Sequence, residues 1–256
     1  MGQTVKTEHM EQLKQHHEFS GIILAGGKSS RMGTDKASLC LNGKSFLDIQ
    51  IEKLRRAGAG EILISCRSSS PEGPALSDGI HTSEIHVDGI RSDEKPPRPG
   101  TDYRSCRIPA HELPAHPVSA RIPQNGSLLR RIPDLIPDCG PLGGMYSCFS
   151  ECRFPFALVL SVDTPLLTAD TLIRLLDAHI ASPHDATVLS FRGRIQPLIA
   201  VYRTDTAGIL RELIRQKKLA VRAFLDRLDC QFIEYHGDEK ELLNCNTKED
   251  LTLFQA

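Results

Sequence analysis

The chain lacks the features that would send it to a membrane, a nucleic acid or the secretory route. No run of about eighteen apolar residues occurs in its 256 residues, so no segment is expected to span a bilayer. Lys and Arg total 31 against 32 Asp and Glu, a net charge of -1, which supplies no field to attract nucleic acid or anionic lipid. Met1 to Phe19 is polar, with no apolar core of the kind a signal peptide needs; it reads as a flexible tail, and a cytoplasmic location is expected. Eight cysteines are scattered through a chain too large to need disulfides, which fits a reducing compartment. Cys148 and Cys152, one helical turn apart, could share a metal, but no second pair with ligand spacing follows, and two small buried hydrophobes is the other reading. Ser-His-Asp and Cys-His arrangements are absent as well, and the ten histidines show no pattern.

Two well-known phosphate loops are also missing. A Walker loop ending at Gly27-Lys28-Ser29 would need glycine at Ile22, and one ending at Gly43-Lys44-Ser45 would need it at Ser38. The dinucleotide fingerprint fails because Gly26 and Gly27 are adjacent. What stands there instead is Leu24-Ala25-Gly26-Gly27-Lys28-Ser29-Ser30-Arg31-Met32-Gly33-Thr34-Asp35-Lys36, directly after the apolar Gly21-Ile22-Ile23. Two glycines at a strand end let backbone N–H groups approach an anion closely. Lys28, Arg31 and Lys36 add three cations, for which phosphate is the natural counter-charge. A plain turn with solvated cations is the alternative at this level.

The rest of the chain alternates strands and helices. Phe46 to Ala57 has a helical apolar period closed by Gly58 to Gly60, and Ile62-Leu63-Ile64 reads as a buried strand, together a β-α-β unit. Residues 68 to 131 hold nine of the sixteen prolines and no sustained apolar period, and are read as a disordered surface insertion with strand fragments only at Ile85-His86-Val87 and Leu128-Leu129. Order resumes at Asp134. Gly140 to Met145 reads as a glycine-rich turn, Met145 to Glu151 as a helix, and Phe156 to Val162 as a strand buried on both faces. Thr168 caps a helix carrying Leu172, Leu175, Leu176, His179 and Ile180. Strands at Thr187 to Phe191, Leu198 to Tyr202 and Cys230 to Tyr235 follow, with helices at Ala207 to Lys217, Val221 to Leu228 and Thr247 to Phe254. The pattern predicts one α/β domain over 20 to 256, doubly wound on a mostly parallel sheet.

Asp163 ends the apolar strand, where open α/β sheets place their ligands; a helix cap is the other reading. A triphosphate brings Mg²⁺, which binds through one or two carboxylates and phosphate oxygens. Asp134, between Pro133 and Pro137, is either a site residue or a turn residue.

Leu24 to Lys36, with Ala37-Ser38-Leu39 and Leu41-Asn42-Gly43-Lys44, resembles the signature of the molybdenum cofactor guanylyltransferases, within the larger group of nucleotidyltransferases. The resemblance covers residues 20 to 67 and 132 to 256 and implies a Rossmann-like nucleotidyltransferase fold. It implies transfer of GMP from GTP to molybdenum-loaded molybdopterin, with release of pyrophosphate. Leu24, Ala25, Gly26, Gly27, Lys36, Asp134 and Asp163 would bind the nucleotide, Arg31, Lys36 and Asp163 would act in catalysis, and Asp163 would hold Mg²⁺. Gln196-Pro197-Leu198, Arg222, Asn244 and Asn246 resemble features around the pterin, although Asn244 to Thr247 could equally cap the last helix. Partners implied are GTP, molybdopterin and molybdoenzyme-delivery proteins. The family tends to place asparagine near the purine where Ser65 and Cys66 stand, a departure that bears on guanine selectivity. Two rivals are a cytidylyltransferase acting on the same pterin or a sugar-phosphate, which tends to carry alanine in place of Gly26, and a non-catalytic nucleotide-binding regulator.

Overall fold

The computed structural model describes residues 19–25, 36–66, 127–182, 184–245 and 250, together with the backbone of 107–109. In chain order the elements begin with β1 (Ser20–Leu24), a 3-10 turn (Lys36–Ser38), the hairpin of β2 (Cys40–Leu41) and β3 (Lys44–Ser45), and α1 (Phe46–Ala57). They continue with β4 (Glu61–Cys66), β5 (Arg107–Pro109), β6 (Leu128–Pro133), α2 (Gly140–Glu151), β7 (Phe156–Ser161) and α3 (Ala169–Ala181). The second half holds β8 (Ala186–Phe191), β9 (Arg194–Arg203), α4 (Ala207–Arg215), α5 (Val221–Leu225), β10 (Cys230–Glu234) and a 3-10 turn (Glu239–Leu242).

The main sheet has eight strands in the order β5-β10-β8-β9-β7-β1-β4-β6, and only β9 runs antiparallel to its neighbours. Strand alternation divides its side chains between two layers. Ile23, Leu158 and Leu160 pack with α1 and α3, whereas Ile22, Leu24 and Val159 pack with α2, α4 and α5. The doubly wound, mostly parallel expectation is met, and it sets the strands' C-terminal ends along one rim.

Local chemistry explains the well-predicted pieces. Ser45 caps α1 by accepting the Asp48 N–H at 3.1 Å, and Gly58, at φ +91°, closes its other end. Thr168 caps α3 through the Thr171 N–H, as expected. Several expectations change. Gly140 to Gly144 is not a turn but the start of α2, with Pro141 in the first helical turn, where its missing N–H costs nothing. Gly143 and Gly144 serve close packing: a Cβ on Gly144 would collide with Ser65 Oγ and stand 3.1 Å from Leu24 Cδ2, whereas Gly140 takes the left-handed φ of +59° that starts the helix. The fragment expected at Leu128-Leu129 extends to Pro133 as a strand on β4, with Ser127 already bonded to Ala59, and β5 inside the expected insertion joins the sheet beside β10, where no strand was expected. The strand expected at Leu198 to Tyr202 runs from Arg194 to Arg203, because the turn at Arg192-Gly193 returns the chain directly along β8. α4 ends at Arg215, where Lys217 takes the left-handed conformation and the Lys218 N–H closes onto Leu213 O at 2.9 Å. α5 likewise stops at Leu225 rather than Leu228. Ile85 to Val87 and all but Asp250 of the helix expected at 247 to 254 lie outside the described residues.

Candidate active site

The site is built at the C-terminal ends of β7, β1, β4 and β6, which stand side by side. Leu24 is in register with both Ser65 and Ser161, so the chain leaves three neighbouring strands at one level. Past β7 it makes the turn Ser161-Val162-Asp163-Thr164-Pro165. Lys36, from the 3-10 turn before β2, reaches over this rim and places Nζ 3.1 Å from Asp163 Oδ2. The two side chains are 22% and 16% exposed, so the pair is sheltered yet open to a ligand. Asp163 Oδ1 accepts the Ser161 hydroxyl, and its backbone carbonyl accepts the Cys245 N–H at 2.8 Å. Gln50 and Lys53 of α1 donate to carbonyls of the same turn. Burial lowers the Lys53 ammonium to about 7, with the Glu241 carboxylate pushing the other way.

Asp134 follows β6. Its N–H donates to Cys66 O at 2.8 Å, and its Oδ1 accepts the Ser65 hydroxyl at 2.9 Å. Asp134 and Asp163 thus stand three strand spacings apart along the rim, or ~14 Å at ~4.8 Å per strand, with Leu24 between them.

Among the residues expected at the site, Lys36 and Asp163 are brought into contact, and Leu24, Ala25 and Asp134 share their rim. Asn244 is exposed and adjoins Cys245, which is bonded to Asp163. Arg222 is exposed on α5, in the α2 and α4 layer, whereas Ala37, Val162 and Cys245 belong to the α1 and α3 layer. Gly26, Gly27, Arg31 and Asn246 lie outside the described residues. The cysteines offer no activated thiolate where a shift is resolved: burial pushes Cys245 up to about 11 and Cys152 up to about 12, and holds Cys148 well above the ordinary thiol range. No group of three or more His, Cys, Asp or Glu able to hold a metal occurs among the described residues, nor does a helix long and apolar enough to cross a membrane. Gln50, Lys53 and Ser161 were not expected. A glutamine on the apolar stripe of α1 was the available signal.

Comparison with known proteins falls in line with this geometry. Residues 21–89 and 113–231 match the MobA-like NTP transferase domain, more of the 68 to 131 segment than the sequence resemblance covers. A probable molybdenum cofactor guanylyltransferase of Chloroflexus aggregans is 30% identical over 94% of this chain and 95% of its own length. One from Bacillus licheniformis is 35% identical over 44% of this chain, an alignment spanning 58% of that relative. The crystal structure of the molybdopterin-guanine dinucleotide biosynthesis protein A of Archaeoglobus fulgidus superposes with a TM-score of 0.60 at 18% identity, covering 92% of this chain and 96% of that one, a likeness of fold.

Proposed function

Since this chain belongs to the MobA-like NTP transferase family, we propose that it transfers GMP from GTP to the terminal phosphate of molybdenum-loaded molybdopterin and releases pyrophosphate. The observation that carries the reading is the Lys36–Asp163 pair, 3.1 Å apart and part-exposed, at the strand ends where open α/β sheets bind ligands.

The attacking phosphate monoester has a second pKa of about 6 and arrives largely ionised, so the chain needs no general base. Its task is alignment and neutralisation of charge. Lys36 leaves Asp163 for the triphosphate and meets the charge that builds on the departing pyrophosphate. Asp134, across the rim, is spaced to meet the nucleoside end of the same molecule. Among the described residues no all-protein cage surrounds Asp163, a sheltered carboxylate on an open rim, and this suits Mg²⁺, which takes one or two carboxylates and fills its sphere with phosphate oxygens and water. Asp163 would hold that ion, and its chemistry when bound is Lewis-acid polarisation of the transferring phosphate.

The test is pyrophosphate release from each of the four nucleoside triphosphates with molybdopterin, with and without molybdate, across a Mg²⁺ titration. Release with GTP, dependent on both pterin and Mg²⁺, is expected. Preference for CTP would make the protein a cytidylyltransferase. Nucleotide binding without release, under every pairing, would make it a regulator and overturn the catalytic reading.

A further inference from the structure

α1 turns an apolar stripe towards the sheet, with Phe46, Leu47, Ile51, Leu54 and Ala57 all buried. One polar side chain sits among them, fully enclosed: Gln50, at 0% exposure. Burying an amide without partners costs about 1–3 kcal/mol on the evidence of protein mutants, so a glutamine at such a position is explained by its bonds or not at all. Gln50 has them. Nε2 donates to Ser161 O at 3.1 Å and to Thr164 O at 2.9 Å, while Oε1 accepts Lys53 Nζ at 3.3 Å.

Lys53 lies three residues on, over the same helix face. Its Nζ also donates to Pro165 O at 2.8 Å and to Thr164 O at 3.3 Å. Three backbone carbonyls are therefore held from α1, and all three belong to Ser161–Pro165, the turn that carries Asp163. Chain beyond the end of a strand has no ladder to fix it, and its carbonyls need donors from elsewhere. Here the closest donors come from one helix face, the Thr164 hydroxyl and the Leu167 N–H add longer local bonds to Ser161 O and Thr164 O, and the Cys245 N–H secures the carbonyl of Asp163 itself.

We propose that Gln50 and Lys53 are positioning residues for Asp163: they hold the Ser161–Pro165 turn in the conformation that presents its carboxylate to a metal-bound triphosphate. The inference rests on the nucleotidyltransferase reading of the site. Neither side chain touches the reacting atoms. An aliphatic residue at position 50 would fill the same space but remove the Nε2 donor shared by Ser161 O and Thr164 O.

Binding of Mn²⁺ in the presence of GTP, followed by electron paramagnetic resonance, measures this without turnover, and binding of metal-free GTP and thermal melting serve as controls. Gln50→Met and Lys53→Met should each weaken Mn²⁺ binding by about tenfold, the usual scale for groups that orient a metal ligand. Metal-free GTP binding should stay unchanged, and Lys53→Arg, which keeps the donors, should bind Mn²⁺ nearly as the wild type does. Lys53 stands at the margin of the cluster, so Lys53→Met keeps the test decisive if Gln50→Met fails to fold. Lower melting temperatures with Mn²⁺ binding within twofold of wild type would overturn the positioning role alone. A wild-type protein that binds no Mn²⁺ with GTP would overturn the reading of the site and the inference with it.

Discussion

The two ends of the same parallel strands each hold a carboxylate paired with a cation, and the two pairs are built for opposite purposes. At the N-terminal end Glu61 is 1% exposed and accepts the Ser20 hydroxyl at 2.7 Å, the Arg153 N–H at 2.7 Å and Arg130 Nη1 at 3.4 Å. Arg130 also reaches the carbonyl and carboxylate of Glu151 at 3.1 and 2.6 Å, joining β4, β1, β6 and the end of α2. At the C-terminal end Asp163 and Lys36 keep part of their surface open. A carboxylate closed in by internal donors can only hold the fold. One left at a rim, with its cation able to move away, can exchange that partner for a ligand. Burial, more than the identity of the paired groups, separates structure from function here.

The sharpest way to break the comparison is to remove each carboxylate or its partner and ask which property fails. Glu61→Ala takes the buried acceptor from the Ser20 hydroxyl and the Arg153 N–H and leaves Arg130 with Glu151 alone, and breaking a buried pair typically costs about 3–5 kcal/mol. Urea unfolding should show a loss of that order, with turnover per folded molecule unchanged. A melting profile like the wild type would place Glu61 among dispensable polar groups. Lys36→Ala should do the reverse. It removes a cation from developing charge, a loss on the order of 3 kcal/mol in turnover for a comparable electrostatic donor. Its unfolding curve should stay close to that of the wild type, and near-normal rates at saturating GTP would undo the role given to Lys36.

How much of this contrast could be read in the sequence depends on how local its causes are. α1 was legible to the residue because its cap, its apolar stripe and Gly58 all lie within fourteen residues of chain. Lys36 and Asp163 were each recognisable, one by its glycine-rich neighbourhood and one by its strand end. Their contact was not, since 127 residues separate them. Gly144 was misread because the same residue that permits a turn also permits a close helix-to-strand approach, and only the approaching Ser65 tells the two apart. The hairpin at Asn42-Gly43, with φ of +51° and +80°, carried a readable turn signal that the family signature overshadowed. The Glu61 cluster and the Gln50–Lys53 brace had no sequence signature beyond polar residues inside buried elements.

His179 tests whether enclosure rules uncharged groups too. It is fully buried on α3 with Nδ1 2.9 Å from Thr187 Oγ1, and Thr187 in turn donates to Gln231 Oε1 at 3.2 Å. Burial depresses it from 6.5 to about 4, helped by His184 and Arg203. The unfolded chain therefore binds a proton first. Stability is fully present above pH 6.5 and declines as the pH falls towards 4, by about 3 kcal/mol in all. His179→Gln should flatten that part of the urea-unfolding profile relative to the wild type. An equally steep profile in the variant would assign the acid sensitivity to other groups.

The smallest effect belongs to a third pair, which sharpens the comparison from the exposed side. Arg56 Nη2 lies 3.3 Å from Asp170 Oδ1, linking α1 to α3, with side chains 58% and 48% exposed. The chemistry matches that of the other two pairs, and the geometry is no worse than Arg130 with Glu61. Water, however, solvates both partners when they separate, and salt screens them while they are joined, so such pairs contribute about 0.2–1 kcal/mol. Asp170 also sits in the first turn of α3, where a negative charge gains a further few tenths of a kcal/mol from the helix dipole. Asp170→Asn should therefore lower stability by about 1 kcal/mol or less, with the difference shrinking as salt rises and turnover untouched. A loss as large as that of Glu61→Ala, or one indifferent to salt, would show that burial does not rank these three pairs.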